Sequence, residues 1–130
     1  MDFNLNPRNE SYRKRIRDFV EQELLPLEQN PEAYDEHENI APEYLEQMRA
    51  KARQQGLWCL QIPEHLGGQG LDIQGMAACY EEMNRSIFGP VVFNSAAPDD
   101  GNMIVLAKVA TEAQQERWLK PIVRSAPPSP

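Results

Sequence analysis

The residues with the clearest chemical potential are three glycines, Gly67, Gly68 and Gly70, in the segment IPEHLGGQGL at positions 62–71. Such a turn either cradles a phosphate with free backbone N–H groups or reverses the chain where a side chain would clash. A P-loop needs Lys and then Ser or Thr after its last glycine, and a dinucleotide site needs Gly-x-Gly-x-x-Gly within a βαβ unit. Leucine and aspartate follow here, and neither pattern is met. The segment is therefore interpreted as a structural turn.

Histidine and cysteine side chains form no recognisable catalytic or metal-binding pattern. His37 is flanked by two glutamates, but a zinc site needs three or four converging ligands. His65 lies in no nucleophile motif. Cys59 and Cys79 are too far apart for a metal knuckle, and we expect both to be reduced and buried. The sequence thus predicts no catalytic residue, no cofactor-binding residue and no metal site.

Composition limits the class of protein and its partners. The chain has 130 residues, 41% hydrophobic and 25% charged, as expected for one domain with a real core. It carries 13 basic and 20 acidic residues without a basic stripe, which argues against nucleic acid and an anionic membrane surface as partners. No apolar run approaches the roughly 20 residues of a membrane helix, and no secretory signal is recognisable. We therefore expect a cytoplasmic location.

Apolar residues at helical spacing predict five helices and an all-α fold. Pro26 is predicted to end the first helix, and Gly56 to end the second. Asp72 and the Thr111–Gln114 capping box are predicted to begin later helices. The predicted helices span 9–25, 42–56, 72–87 and 99–109, and a fifth begins at 111. Asp99 or Asp100 is predicted to cap the fourth helix.

The connections between these helices carry their own predictions. Residues 29–39 are polar and predict a solvated loop, and the apolar run 57–62 predicts a buried, extended segment. Gly89-Pro90 is predicted to stop the third helix, on which Glu81, Glu82 and Arg85 face solvent. With no sustained alternation for a sheet, the predicted fold is an up-and-down helical bundle with a Pro/Gly-rich central turn.

Several motifs together resemble the N-terminal helical domain of acyl-CoA dehydrogenases. They are QGL at 55–57, IPEHLGGQGL at 62–71 and TEAQQERWLKP at 111–121, in the order and spacing of that family. The first helix adds DFV at 18–20 and LP at 25–26. Residues 97–103 are similar to a segment found in one branch of the family, the branch containing family members ten and eleven. Ala110 and Ala113 depart from the usual glycine and glutamate.

The resemblance implies a fold, an activity and a candidate site. Residues 1–123 would form the helical domain and 124–130 a disordered, Pro-rich tail. Family enzymes dehydrogenate acyl-CoA thioesters with FAD and are expected to be homo-oligomers at full length. Their catalytic base and most of the flavin site belong to domains that follow, so this fragment is expected to retain no FAD and to be inactive.

In the family this domain covers one side of the acyl pocket, and the match puts the uncharged segment 91–103 near it. Phe93, Asn94 and Ala97 are therefore candidate pocket-lining residues, with an ordinary core role as the alternative. A different class of function stays open as well, namely a non-catalytic helical interaction or binding module.

Overall fold

Five long helical segments make up the fold in a computed structural model that describes residues 4–124. Within these residues no strand forms, and only an isolated antiparallel bridge joins Tyr34 to Ile40. The prediction of an all-α fold is confirmed. The helices are α1 (Pro7–Phe19), α2 (Leu25–Glu28), α3 (Pro42–Gln54), α4 (Ile73–Met83), α5 (Gly89–Val92), α6 (Asp99–Val109), α7 (Glu112–Gln114) and α8 (Lys120–Arg124), with π turns at Val20–Leu24 and Gln115–Leu119 and 3₁₀ turns at Pro31–Ala33 and Glu64–Leu66.

Pro26 does not end the first helix, contrary to the prediction. The π turn before it widens the helix, and the Leu25 N–H donates to the Val20 carbonyl five residues back. Proline lacks an N–H and crowds the carbonyl four residues earlier, so a local change of hydrogen-bond register lets the helix continue through α2. Pro121 follows the π turn Gln115–Leu119 at the same offset.

The third predicted helix begins where expected and ends early. Asp72 caps α4 by accepting a hydrogen bond from the Gly75 N–H at 2.8 Å, as predicted. The helix stops at Met83 instead of Ile87, because the chain folds back so tightly that a Cβ on Gly89 would lie 1.9 Å from the Met83 carbonyl oxygen. Gly89 and the following proline therefore begin α5 instead of stopping α4.

The early end of α4 changes which side chains face the core. The apolar spacing of residues 72–87 predicts Ile73 and Ile87 on the inner face of this helix, yet they are 88% and 66% exposed. Glu82 was predicted to face solvent and is buried. Glu81 and Arg85 are exposed, as predicted.

Other predicted boundaries are partly corrected. Asp99 and Asp100 lie within the first turn of α6 and do not cap it, whereas the capping box of Thr111 with Gln114 is present. The run 57–62 is largely buried but not extended, since it bends through turns. The loop 29–39, predicted to be solvated, buries Ala33 and packs Tyr34 on Phe88. The predicted tail lies outside the described residues apart from Arg124, the last residue of α8.

Two clusters form the core. The larger lies between α1, α3, α4 and α5, and the smaller joins the segment before the central turn to α6 and the last helix. The largest buried side chains of the first are Ile16, Phe19, Leu24, Leu57, Leu60, Met83, Phe88 and Phe93; the second comprises Trp58, Cys59, Ile62, Leu66, Met103, Leu119 and Val123.

Candidate functional site

The glycine turn uses its own backbone N–H groups and offers no row of free donors. A phosphate cradle requires several amides pointing at the ligand. Here each N–H from position 67 to 71 donates to a nearby carbonyl, which supports the structural interpretation. The bonds are Gly67 to Glu64 at 2.9 Å, Gly68 to Pro63 at 3.2 Å, Gln69 to Cys59 at 3.4 Å, Gly70 to Ile62 at 2.9 Å and Leu71 to Leu60 at 2.9 Å.

The first helix closes over this turn. Arg8 donates to the carbonyl oxygens of Gln69 and Gly70, and the Tyr12 hydroxyl donates to the Gln69 side-chain oxygen at 3.0 Å. The turn therefore accepts hydrogen bonds from Arg8 through its carbonyl oxygens. It does not donate N–H groups to an anion.

The candidate pocket residues occupy different depths. Phe93 is fully buried and packs edge-on against Phe19, with ring centroids 5.1 Å apart. Asn94 is also buried, and its Nδ2 lies 3.5 Å from the Met103 Sδ. Ala97 is exposed. Ala97 is therefore open to solvent, whereas Phe93 and Asn94 belong to the buried core.

Behind Asn94 lies a buried thiol that is not built for catalysis. The Cys59 Sγ is 3.9 Å from the Met103 Sδ, and burial raises the pKa of this thiol to about 12. A nucleophilic cysteine needs a lowered pKa and access to solvent. Cys59 has neither, in agreement with the prediction of a buried, reduced cysteine.

A polar network that sequence reasoning missed lies beside an apolar groove of about 400 Å³ between α4 and α6. The Tyr80 hydroxyl donates to Asp100 Oδ2 at 2.9 Å, and Gln61 Nε2 donates to Asp100 Oδ1. Burial is the main cause that raises the pKa of Tyr80, and the hydrogen bond to Asp100 raises it further. The three residues come from three segments, and no spacing in the sequence signals their meeting.

The histidines are not assembled into a site. His37 is exposed, with its Nε2 3.4 Å from Glu36 Oε1, and His65 is exposed on the 3₁₀ turn. Among residues 4–124, no three side chains of the metal-binding types converge. No helix in the same range is long and apolar enough to cross a membrane.

The family described as the N-terminal domain of acyl-CoA dehydrogenase matches residues 6–126. The chain belongs to this family. Acyl-CoA dehydrogenase family member 11 of Rattus norvegicus is 35% identical over 116 residues, which cover 85% of this chain and 14% of that protein. Family member 10 of Mus musculus is 34% identical over 127 residues, or 92% of this chain and 12% of that protein. The resemblance to this branch is confirmed.

Bacterial acyl-CoA dehydrogenases match as well. The probable acyl-CoA dehydrogenase FadE2 of Mycobacterium tuberculosis is 31% identical over 131 residues, covering 95% of this chain and 31% of that protein. A solved structure from Mycobacterium abscessus, assigned as an acyl-CoA dehydrogenase, is 34% identical with a TM-score of 0.78, and the match covers 93% of this chain and 32% of that one. This acyl-CoA dehydrogenase N-terminal domain thus spans less than a third of these relatives.

The family generally uses FAD, and a cradle for the FAD pyrophosphate needs free backbone N–H groups. The glycine turn does not fit a pyrophosphate, because its amides are bonded internally and Arg8 is held on its carbonyl oxygens. The glycine turn of this acyl-CoA dehydrogenase domain is therefore not a pyrophosphate cradle.

Proposed function

We propose that this chain serves as the N-terminal domain of an FAD-dependent acyl-CoA dehydrogenase and covers one side of its acyl pocket. The observation that carries the proposal is the family match over residues 6–126, together with the fold shared with the Mycobacterium abscessus structure. The proposed reaction of the whole enzyme is α,β-dehydrogenation of an acyl-CoA thioester.

Within this role, Ala97 is the proposed contact with the acyl chain. It is exposed and small, so it leaves room for a ligand, whereas buried Phe93 and Asn94 support the segment from behind. A larger side chain at Ala97 would occupy the proposed pocket without disturbing the core.

A chimera tests this assignment. Residues 6–124 would replace the matching part of the Mycobacterium abscessus protein, and acyl-CoA-dependent reduction of bound flavin would be measured. We expect activity in the chimera and at least about a tenfold loss of kcat/KM with Ala97→Trp, equivalent to roughly 1.4 kcal/mol. Ala50→Trp, at an exposed alanine on α3, is the matched control and should change little. A folded, flavin-loaded chimera without activity would contradict the proposed function, and equal effects of the two tryptophans would contradict the role of Ala97.

The 130-residue chain alone is expected to be inactive. The proposal assigns the catalytic base and the flavin cradle to polypeptide outside this chain, so the purified protein should be colourless. Flavin bound at one equivalent and bleached by acyl-CoA would contradict this expectation. We expect the full-length enzyme to be cytoplasmic and homo-oligomeric, without nucleic-acid or membrane partners.

A second candidate function is a non-catalytic helical interaction module. Its support is α6, which presents Val105 and Val109 to solvent at 57% and 76% exposure although both are large and apolar. Sedimentation of the purified chain distinguishes the candidates. Stable self-association that is lost in Val109→Glu would favour a module, whereas a monomer that gains activity only in the chimera favours the dehydrogenase.

A further inference from the structure

Arg49 on α3 is a cation with unused hydrogen-bond donors. Its Nε donates to the Val91 carbonyl oxygen at 3.1 Å, and its guanidinium carbon lies 5.6 Å from the centre of the Trp58 ring. No residue among 4–124 bonds to its two Nη atoms or pairs with it as a carboxylate. Arg53, which lies over the same ring at 5.3 Å, is instead paired with Glu46.

Partial burial of Arg49 strengthens its attraction for an anion, and the neighbouring carboxylates of Glu46 and Asp99 oppose a doubly charged anion more strongly than a singly charged one. Burial lowers the pKa of this guanidinium, which nevertheless stays charged because arginine titrates far above neutral pH. Glu46 and Asp99 attract it from beyond ion-pair distance, and Arg53 repels it. A partly desolvated guanidinium with two free Nη groups is the geometry that receives a carboxylate through two parallel hydrogen bonds.

Arg49 also lies in the wall of a pocket of about 510 Å³. Ile87, 66% exposed, is part of that wall and gives an apolar ligand a surface to cover. Glu38 lies in the same wall and would repel a doubly charged group more strongly than a singly charged one. The remaining lining residues include Ile40, Leu45, Phe88 and Val91.

We propose that Arg49 and this pocket bind a monocarboxylate with a short apolar body. The carboxylate meets the two Nη groups of Arg49, and the apolar body lies against Ile87 and Val91. The proposal requires neither flavin nor a thioester, so it can fail or hold separately from the proposed dehydrogenase role, although Val91 belongs to the segment 91–103 that is also proposed to lie near the acyl pocket.

Fluorescence titration of the full chain with hexanoate tests the proposal. The sequence contains two tryptophans, so Trp118→Phe leaves Trp58, beside Arg49, as the only reporter. We expect saturable binding of hexanoate at least about tenfold tighter than that of 1-hexanol, which has the same apolar body without the charge. Hexyl phosphate should bind more weakly than hexanoate. Equal binding of hexanoate and 1-hexanol would overturn the proposal, and so would stronger binding of hexyl phosphate.

Two pairs of variants locate the site. Arg49→Gln should weaken hexanoate binding about tenfold, whereas Arg53→Gln removes the same charge over the same ring and should change it less than about twofold. Equal losses would mean general electrostatics and would overturn the site. If Arg49→Gln fails to fold, Ile87→Asp at an exposed position provides the test and should weaken hexanoate binding. Ile73→Asp, at an exposed isoleucine outside this pocket, is its control. Unchanged affinity in Ile87→Asp would place the ligand elsewhere.

Discussion

Gly68 and Gly101 differ in the space that each leaves for a Cβ atom. A Cβ on Gly68 would lie 2.0 Å from the Ile62 carbonyl oxygen, which is itself part of the turn. A Cβ on Gly101, within α6, would meet nothing within 4 Å. The first glycine is required by close approach of the backbone, and the second only weakens its helix.

We therefore predict opposite effects on stability. Gly68→Val should lower the free energy of unfolding by about 2–4 kcal/mol, because either the turn or the backbone at Ile62 must move. Gly101→Ala should raise it by about 0.5–1 kcal/mol through helix propensity. Urea denaturation followed by circular dichroism measures both. A Gly68→Val protein of unchanged stability would contradict the structural interpretation of the turn, as would a loss of acyl-CoA affinity without a loss of stability.

At this scale the sequence predicts backbone requirements better than side-chain partners. The residues after Gly70 excluded a phosphate loop, and the internally bonded amides agree. The pairing of Gln61 and Tyr80 with Asp100 could not be predicted, since it depends on how three segments pack. For the same reason Phe93 and Ala97 could not be assigned different depths from the sequence.

Helix ends divide into those set locally and those set by packing. Asp72 and Thr111 cap helices as predicted, because a cap needs only the next three residues. The end of α4 at Met83 could not be predicted, because it depends on the close approach of Gly89 to the Met83 carbonyl. The continuation of the first helix through Pro26 could not be predicted either, because it depends on a π turn. Local chemistry predicts where most helices begin, and tertiary contacts decide where several of them end.

The Asp72 cap makes the stability of α4 depend on pH. Hydrogen bonds from the Gly75 N–H and then from the Asn9 side chain lower the pKa of Asp72 below its ordinary value of 3.8. A lowered folded-state pKa contributes stability that is present above the unfolded value and is lost as pH falls through the folded one. We predict that Asp72→Asn, which keeps a capping oxygen but cannot titrate, reduces the loss of stability below about pH 4 and changes stability little at pH 7. Unfolding in urea at pH 7 and at acid pH tests this, and identical acid profiles for the two proteins would contradict it.

Across the whole molecule, the first helix joins the two halves of the chain. Its Asn9 side chain donates to Asp72 at 2.8 Å, and Tyr12 reaches Gln69 at 3.0 Å. Arg13 extends the same face to Glu82 on α4 at 2.8 Å. These contacts hold α1 against α4 and the central turn, so that the three form one scaffold. Phe19 of α1 also packs on Phe93, which belongs to the segment proposed to lie near the acyl pocket.

Glu82 is the charged centre of that scaffold and gives the molecule-scale prediction. Its carboxylate, 8% exposed as a residue, accepts from Arg13 and Arg85 at 2.8 and 3.3 Å, and Arg17 lies 4.0 Å away. Glu82→Gln would leave these guanidinium groups without their shared partner. Because the arginines are partly exposed and have other acidic neighbours, we expect a loss of about 1–3 kcal/mol, below the range for a fully buried pair.

Glu81→Gln provides the matched control, since it removes the same charge from the adjacent, exposed position on α4. We expect it to change the free energy of unfolding by less than about 0.5 kcal/mol. Urea denaturation of the two variants at low and high salt separates local pairing from net charge. A local network predicts that the difference between them survives added salt, because buried pairs are screened less than exposed ones. Equal effects of the two substitutions would mean that Glu82 acts only through net charge and that its ion pairs with Arg13 and Arg17 do not hold α1 on α4.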